Sequence, residues 1–246
     1  MTLLLDIGNT RIKWARLDGG RLHGHDAALH LDDQLLKTLA RAFDGPAPER
    51  VLACNVAGPL VGQALTNLCH ERYRLQPEFL IPAAEQAGVK NGYTDPARLG
   101  ADRWAALIGA FHIYGGPSCV IDAGTAITVD ALAKRGMHLG GLIAPGPQSM
   151  RRALAGATAG LPDQGEGEFA LFAKDTKSGI TSGGWQAAAG LVERMHALLT
   201  KELGKETRFI LTGGDAERLM KLVSMQVEHC PDLVLRGLAV VAGARP

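Results

Sequence analysis

The sequence predicts an α/β protein built from two similar halves, and three observations lead to that class. Apolar runs of strand length alternate with stretches of helical periodicity along all 246 residues. The order strands, helix, strand, helix is complete before Gly115-Gly116-Pro117 and begins again beyond it. A short pattern also recurs: "LLLDIGNTRIKW" at 3–14 and "CVIDAGTAITVD" at 119–130 each join an apolar strand, a DxG turn, a threonine and a second, alternating strand. A DxG turn is a common hairpin device. Two of them in matching contexts point to duplicated domains, 1–115 and 116–246, that face one another.

Residues 3–18 read as two strands joined by the turn "DIGNT", because Ile12 and Trp14 alternate with Arg11 and Lys13. "RLHGHDAAL" (21–29) fits a third strand. "DDQLLKTLARAF" carries apolar residues at helical spacing, with Asp32 or Asp33 as its N-cap. "RVLACNV" then predicts a strand and "PLVGQALTNLCHER" a helix with proline at its start. A loop-rich stretch around "KNGYTDPARLG" leads into an amphipathic helix over 102–114 that stops at the glycine pair. The second half predicts strands in "SCVIDAG", "TAITVDAL" and "MHLGGLIA", a helix from about Pro147, a Gly-rich loop region and a helix over 185–203. A strand "RFILTGG", a helix "DAERLMKLV" and a closing helix in "LVLRGLAVVAGA" follow.

Composition narrows the function. Hydrophobic residues are 46% of the chain and charged residues 21%, ordinary values for a folded protein with a substantial core. With 26 basic and 25 acidic residues, the formal charge of +1 creates no field that favours nucleic acid or an anionic membrane. Cys54, Cys69, Cys119 and Cys230 form no CxxC pair and sit in apolar surroundings, so they read as reduced thiols. No run approaches the roughly 18 apolar residues of a membrane span, and Leu3–Leu5 is too short for a signal-peptide core. A cytoplasmic protein without membrane or nucleic-acid partners is expected. Walker, Rossmann, zincin and nucleophile-elbow motifs do not occur.

The repeated hairpin suits phosphate chemistry. Glycine lets a bound group approach the backbone, and the small residues beside it present N–H and hydroxyl donors to an anion. A strand-end aspartate would repel phosphate directly, but it can hold Mg²⁺ or another cation that bridges to phosphate. Two facing hairpins could therefore clamp a nucleotide tail. The turn in "FILTGGDAERL" can lie flat against a base or ribose, although Gly-Gly before a capped helix is also an ordinary connection.

Taken together, DxGNT, "GADR" (100–103), "IDAGTAITVD" (121–130), "GGLIAPG" (140–146) and "LTGGDA" (211–216) resemble the type III pantothenate kinases, in the right order and over nearly the whole chain. The resemblance implies two ribonuclease-H-like domains of the actin-like ATPase class, each a mixed sheet with helices, and ATP in a cleft between them. It implies transfer of the ATP γ-phosphoryl group to pantothenate, at the start of coenzyme A synthesis, by a homodimer using Mg²⁺ and a monovalent cation, potassium or ammonium. It places Asp6, Ile7, Gly8, Asn9, Thr10, Arg11, Ile12 and Lys13 at ATP, with Asp6 on the Mg²⁺ side. Thr125 matches a further ATP contact, and Asp122 the monovalent-cation position. Asp102 matches the catalytic base, within a substrate segment of Gly100, Ala101, Asp102 and Arg103. Tyr93 and Thr176 match substrate contacts, and Thr176 could serve its own or a neighbouring subunit.

Simpler roles exist for each residue by itself. Asp102 fits a first-turn carboxylate favoured by the helix dipole, Thr125 a turn hydroxyl, and Lys13, Arg103 and Tyr93 ordinary surface or packing positions. The segment "DTKSGITSG" departs from the family pattern at Asp175 and at Ser178-Gly179. Two other functions stay open: a nucleotide-binding regulatory accessory protein of the same fold, and a kinase for another small hydroxyl or carboxyl substrate. An intact "GADR" favours catalysis, since a pure binder needs no base beside its ligand.

Overall fold

The computed structural model describes residues 1–29, 34–157 and 165–244. The chain divides into two compact units. The first comprises Met1–Gly115, Lys134–Gly140 and the chain from Asp232; the second comprises Gly116–Ala133 and Gly141–Pro231. Sequence order suggested one cut at 115/116, whereas the last helix belongs with the first unit.

In the first unit, β1 (Thr2–Ile7), β2 (Arg11–Asp18), β3 (Arg21–Leu29), α1 (Leu35–Ala42), β4 (Arg50–Asn55), α2 (Pro59–Tyr73) and β5 (Glu78–Phe79) follow in order. The α1 cap expected at Asp32 or Asp33 lies outside the described residues. A small hairpin, β6 (Glu85–Gln86) with β7 (Val89–Lys90), precedes the 3₁₀ turn Pro96–Arg98 and α3 (Ala101–Tyr114). The sheet order is β3-β2-β1-β4-β5, with β1–β2 and β2–β3 antiparallel and β1–β4 and β4–β5 parallel.

Strand β1 is apolar from Leu3 to Leu5 because both of its faces are covered. Leu3, Leu5 and Ile7 join Ile12, Trp14, Val51 and Ala53 against α1 and α2 residues such as Leu39 and Leu65. Leu4, fully buried, and Asp6 point to the opposite face, where α3 and the final helix pack.

The second unit contains β8 (Ser118–Ala123), β9 (Ala126–Leu132), the inner part of β10 (His138–Pro145), α4 (Pro147–Ala157), α5 (Thr176–Leu203), β11 (Arg208–Thr212), α6 (Ala216–Met220) and β12 (Glu228–His229). Its sheet, β10-β9-β8-β11-β12, repeats the strand order of the first. β8–β9 is antiparallel, while β8–β11 and β11–β12 are parallel. Cys119, Ile121, Ala123, Ile127, Val129, Phe209 and Leu211 form the core face against Trp185, Ala188 and Val192 of α5. Helix α7 (Leu233–Val241) then packs on α3 within the first unit.

Helix α5 begins nine residues earlier than its periodicity predicts. The Asp175 carboxylate accepts from Ser178 N at 2.9 Å and caps the helix, and that bond holds the carboxyl below its usual range. Gly179, Gly183 and Gly184 hide the helical signal, each costing about 1 kcal/mol relative to alanine. Gly184 sits against Pro147 of α4, so the small residue lets the two helices approach. No helix of the described residues is long and apolar enough to cross a membrane.

Candidate active site

Asp6 and Asp122 hold the same place in the two sheets. Each is the next-to-last residue of a central strand and is partly exposed. The turns match too, with Gly8 N donating to Arg11 O at 3.0 Å and Gly124 N to Ala126 O at 3.0 Å. In the first turn Asn9, Thr10 and Arg11 are exposed, which leaves their donors accessible to a bound anion. Ile7 and Ile12 are fully buried in the core, so only their backbone is available to a ligand. Lys13 is the register partner of Asp6 and shares its face of the sheet.

On the parallel side Asp6 aligns with Cys54 of β4. The Cys54 thiol is fully buried and donates to the Ala101 carbonyl at 3.3 Å, tying the end of β4 to the start of α3. Burial pushes this thiol well above the ordinary range, and the negative charges of Asp6 and Asp102 push it further. The strand position of Asp6 and the first turn of α3, which carries Asp102, therefore meet at one buried side chain. Nothing in the pattern "VLACNV" singles out Cys54; the signal was its place at the end of the strand aligned with β1.

Gly100 precedes α3 and its carbonyl accepts from Trp104 N at 2.9 Å, which sets Asp102 in the first helical turn. There the Asp102 carboxylate accepts from Arg103 N at 2.7 Å and lies at the positive end of the helix dipole. Arg103 is 7% exposed, and its guanidinium donates to the Tyr93 hydroxyl at 2.7 Å. The Tyr93 ring stacks on His138 at 5.9 Å between centroids, a partner that no motif indicated. Asn91 Oδ1 accepts from Tyr93 N at 3.0 Å and its amide donates to Pro96 O at 3.2 Å, which pins the loop before α3. Asp6, Asp102, Arg103 and Tyr93 thus all belong to the first unit.

Asp122, Thr125 and Thr176 belong to the second unit. Thr125 is exposed at its turn, while its carbonyl accepts from Gly146 N at 3.0 Å and Ser149 Oγ at 2.6 Å at the start of α4. Thr176 is the exposed first residue of α5, at the rim of a groove of about 460 Å³ shared with Met150, Leu154 and Ile180. The register partner of Asp122 on β11 is Thr212, 1% exposed, whose hydroxyl has no hydrogen-bond partner among the described residues. A buried hydroxyl left unmet costs about 1–3 kcal/mol. The following residue, Gly213, has φ +98°, and a Cβ there would collide with the Ala123 carbonyl and the Asp122 carboxylate. No sequence signal assigns Thr212 a role of its own, although it lies in the "LTGGDA" motif.

Among the described residues no three His, Cys, Asp or Glu side chains cluster as a metal cage. Mg²⁺ bound together with nucleotide phosphates takes only one or two carboxylates, which single strand-end aspartates can supply. Cys54, Cys69, Cys119 and Cys230 are buried and take part in no disulfide.

Residues 2–198 match a family model described as type III pantothenate kinase. A type III pantothenate kinase of Nitrosococcus oceani is 41% identical over an alignment covering 98% of this chain and 94% of the relative. One from Azoarcus sp. is 42% identical, covering 99% of this chain and 91% of the relative. Among solved structures, the activator of the 2-hydroxyisocaproyl-CoA dehydratase from Clostridium difficile with bound ADPNP superposes with a TM-score of 0.56 at 14% identity. That alignment covers 99% of this chain and 93% of the activator, and the likeness is one of fold.

Proposed function

The chain belongs to the type III pantothenate kinase family, and on that premise we propose how its residues divide the work of phosphorylating pantothenate from ATP. The reaction is the first step of coenzyme A biosynthesis, and it depends mainly on positioning and on neutralising phosphate charge.

Asp6 holds the Mg²⁺ side of the triphosphate, with donors from Gly8, Asn9, Thr10 and Arg11 and from the backbone of Ile7 and Ile12. Lys13, on the face of Asp6, directs its charge to a phosphate. When bound, Mg²⁺ neutralises charge that develops on the phosphate oxygens. Thr125, exposed at the second turn, contacts ATP. Asp102 orients the primary hydroxyl of pantothenate and accepts its proton as the bond to phosphorus forms. Arg103, held by Tyr93, pairs with the pantothenate carboxylate, and Gly100 and Ala101 shape the approach. Thr176 contacts pantothenate, in its own or a neighbouring subunit, and Asp122 holds potassium or ammonium. The observation that carries this reading is that Cys54, aligned with Asp6 on the next strand, donates to the carbonyl of Ala101, the residue before Asp102, which suits a phosphate anchored beside a base.

Purified protein given labelled ATP, Mg²⁺ and potassium is expected to phosphorylate pantothenate, but not acetate or sugars. Absence of transfer to pantothenate in every salt tried would refute the assignment. Sodium in place of potassium should lower the rate, and an unchanged rate would remove the cation role from Asp122.

We also propose that the protein acts as a homodimer. Strand β10 lies at a sheet edge and exposes Leu142 and Ile143, at 43% and 66%. Sedimentation velocity should report twice the 26.0 kDa chain mass. Ile143→Lys should shift the species towards monomer, and a wild-type monomer at micromolar concentration would contradict the proposal. The buried cysteines, none in a disulfide, suit a reducing compartment, and we place the protein in the cytoplasm.

A further inference from the structure

The two sheets repeat one local arrangement with two chemical differences beside the strand-end aspartate: Lys13 against Thr128 on the antiparallel side, and Cys54 against Thr212 on the parallel side. In each, the residue aligned with the strand-end aspartate on the next parallel strand shares its face: Cys54 beside Asp6, and Thr212 beside Asp122. Cys54 has a partner, the Ala101 carbonyl at 3.3 Å. Thr212 is 1% exposed, and its hydroxyl meets neither donor nor acceptor among the described residues. The Asp122 carboxylate leans towards the same strand, because Gly213, with φ +98° and no Cβ, leaves room for it. Thr128 aligns with Asp122 on the antiparallel side and is partly exposed.

We propose that the Thr212 hydroxyl is a protein ligand of the monovalent cation held by Asp122. The inference rests on the reading of Asp122 as the cation residue. Hard cations prefer oxygen to sulfur ligands, and a weakly hydrated monovalent ion is well served when neutral oxygens replace its water. One carboxylate beside a neutral hydroxyl matches a single positive charge. The same position in the first sheet carries a thiol already engaged with the backbone, so that aspartate is left to an ion whose remaining ligands come from phosphate and water. Together with Lys13, which stands beside Asp6 where Thr128 stands beside Asp122, the difference between Cys54 and Thr212 separates the two aspartates and lets them take different ions.

The test titrates thallous ion, a spectroscopic substitute for potassium, into the full chain and follows it by thallium NMR with potassium as competitor. Wild type should bind and Asp122→Asn should lose binding. Thr212→Val should weaken it at least about tenfold, the scale on which loss of a metal-site partner is felt. Thr212→Ser, which restores the oxygen, should bind as wild type does. The potassium concentration for half-maximal activity should rise in Thr212→Val, with the maximal rate recovered at saturating potassium. Loss of binding in Asp122→Asn with none in Thr212→Val would overturn the inference and leave the Asp122 reading intact. Unchanged binding in both would remove that reading itself. Weaker Mg-ATP binding by Thr212→Val with normal thallous-ion binding would assign the hydroxyl to the nucleotide instead. Valine keeps the β-branched shape, and a melting curve checks its fold; Thr212→Ala provides the same comparison if valine is not accommodated.

Discussion

Asp102→Asn is expected to lower turnover by roughly 10²- to 10⁴-fold, the usual range for removing a general base, while the protein stays folded and binds ATP. Asparagine keeps the size of the side chain, and its carbonyl oxygen can still accept from Arg103 N, as the carboxylate does at 2.7 Å. What disappears is the ability to take the hydroxyl proton, together with a charge at the helix N-terminus worth about 0.3–1 kcal/mol. The measurement pairs steady-state kinetics with a nucleotide-binding titration on the same preparation. Near-normal turnover would take the base role from Asp102. Lost ATP binding would instead assign it to the nucleotide side, where Asp6 lies across Cys54.

Gly237→Ala should produce the largest loss of stability among single-methyl changes. Gly237 on α7 lies against Ala105 of α3, and a Cβ there would strike the Ala105 carbonyl; on α3, a Cβ at Gly109 would crowd Leu233 O at 2.7 Å. The helices meet backbone to backbone, so one can accept a methyl only by moving away from the other. Overpacking of this kind costs about 1–3 kcal/mol, a fall in melting temperature of roughly 2–12 °C for a chain of this length. Activity should fall as well, because α3 carries Asp102 and Arg103. Gly190→Ala is the control: it is exposed on α5 with nothing within 4 Å of the added carbon. There alanine should be neutral or stabilising by up to about 1 kcal/mol. Equal melting temperatures for the two variants would mean that α3 and α7 are not in such close contact.

The hairpins were legible because their signals are local. Period-2 alternation through Ile12 and Trp14, and the repeated aspartate and glycine at each strand end, encode strand and turn within a dozen residues. The start of α5 was not legible, since three glycines blur its periodicity and its stability comes from packing on α4. The apolar run of "LVLRGLAVV" marks α7 as a helix, but its place in the first unit depends on Gly237 meeting Ala105, a pairing that no window of sequence contains.

The same division runs through the site. The sequence alone determined which residue types are available, where the phosphate-suited turns fall, and which family the motifs resemble. Only the tertiary structure decided that Cys54 stands beside both Asp6 and Asp102, that Arg103 donates to Tyr93, and that the Thr212 hydroxyl is buried next to Asp122. Those neighbours come from parallel strand register and helix packing between segments far apart in the chain. Such pairings depend on which surfaces the whole molecule can bury together, and no local pattern records them.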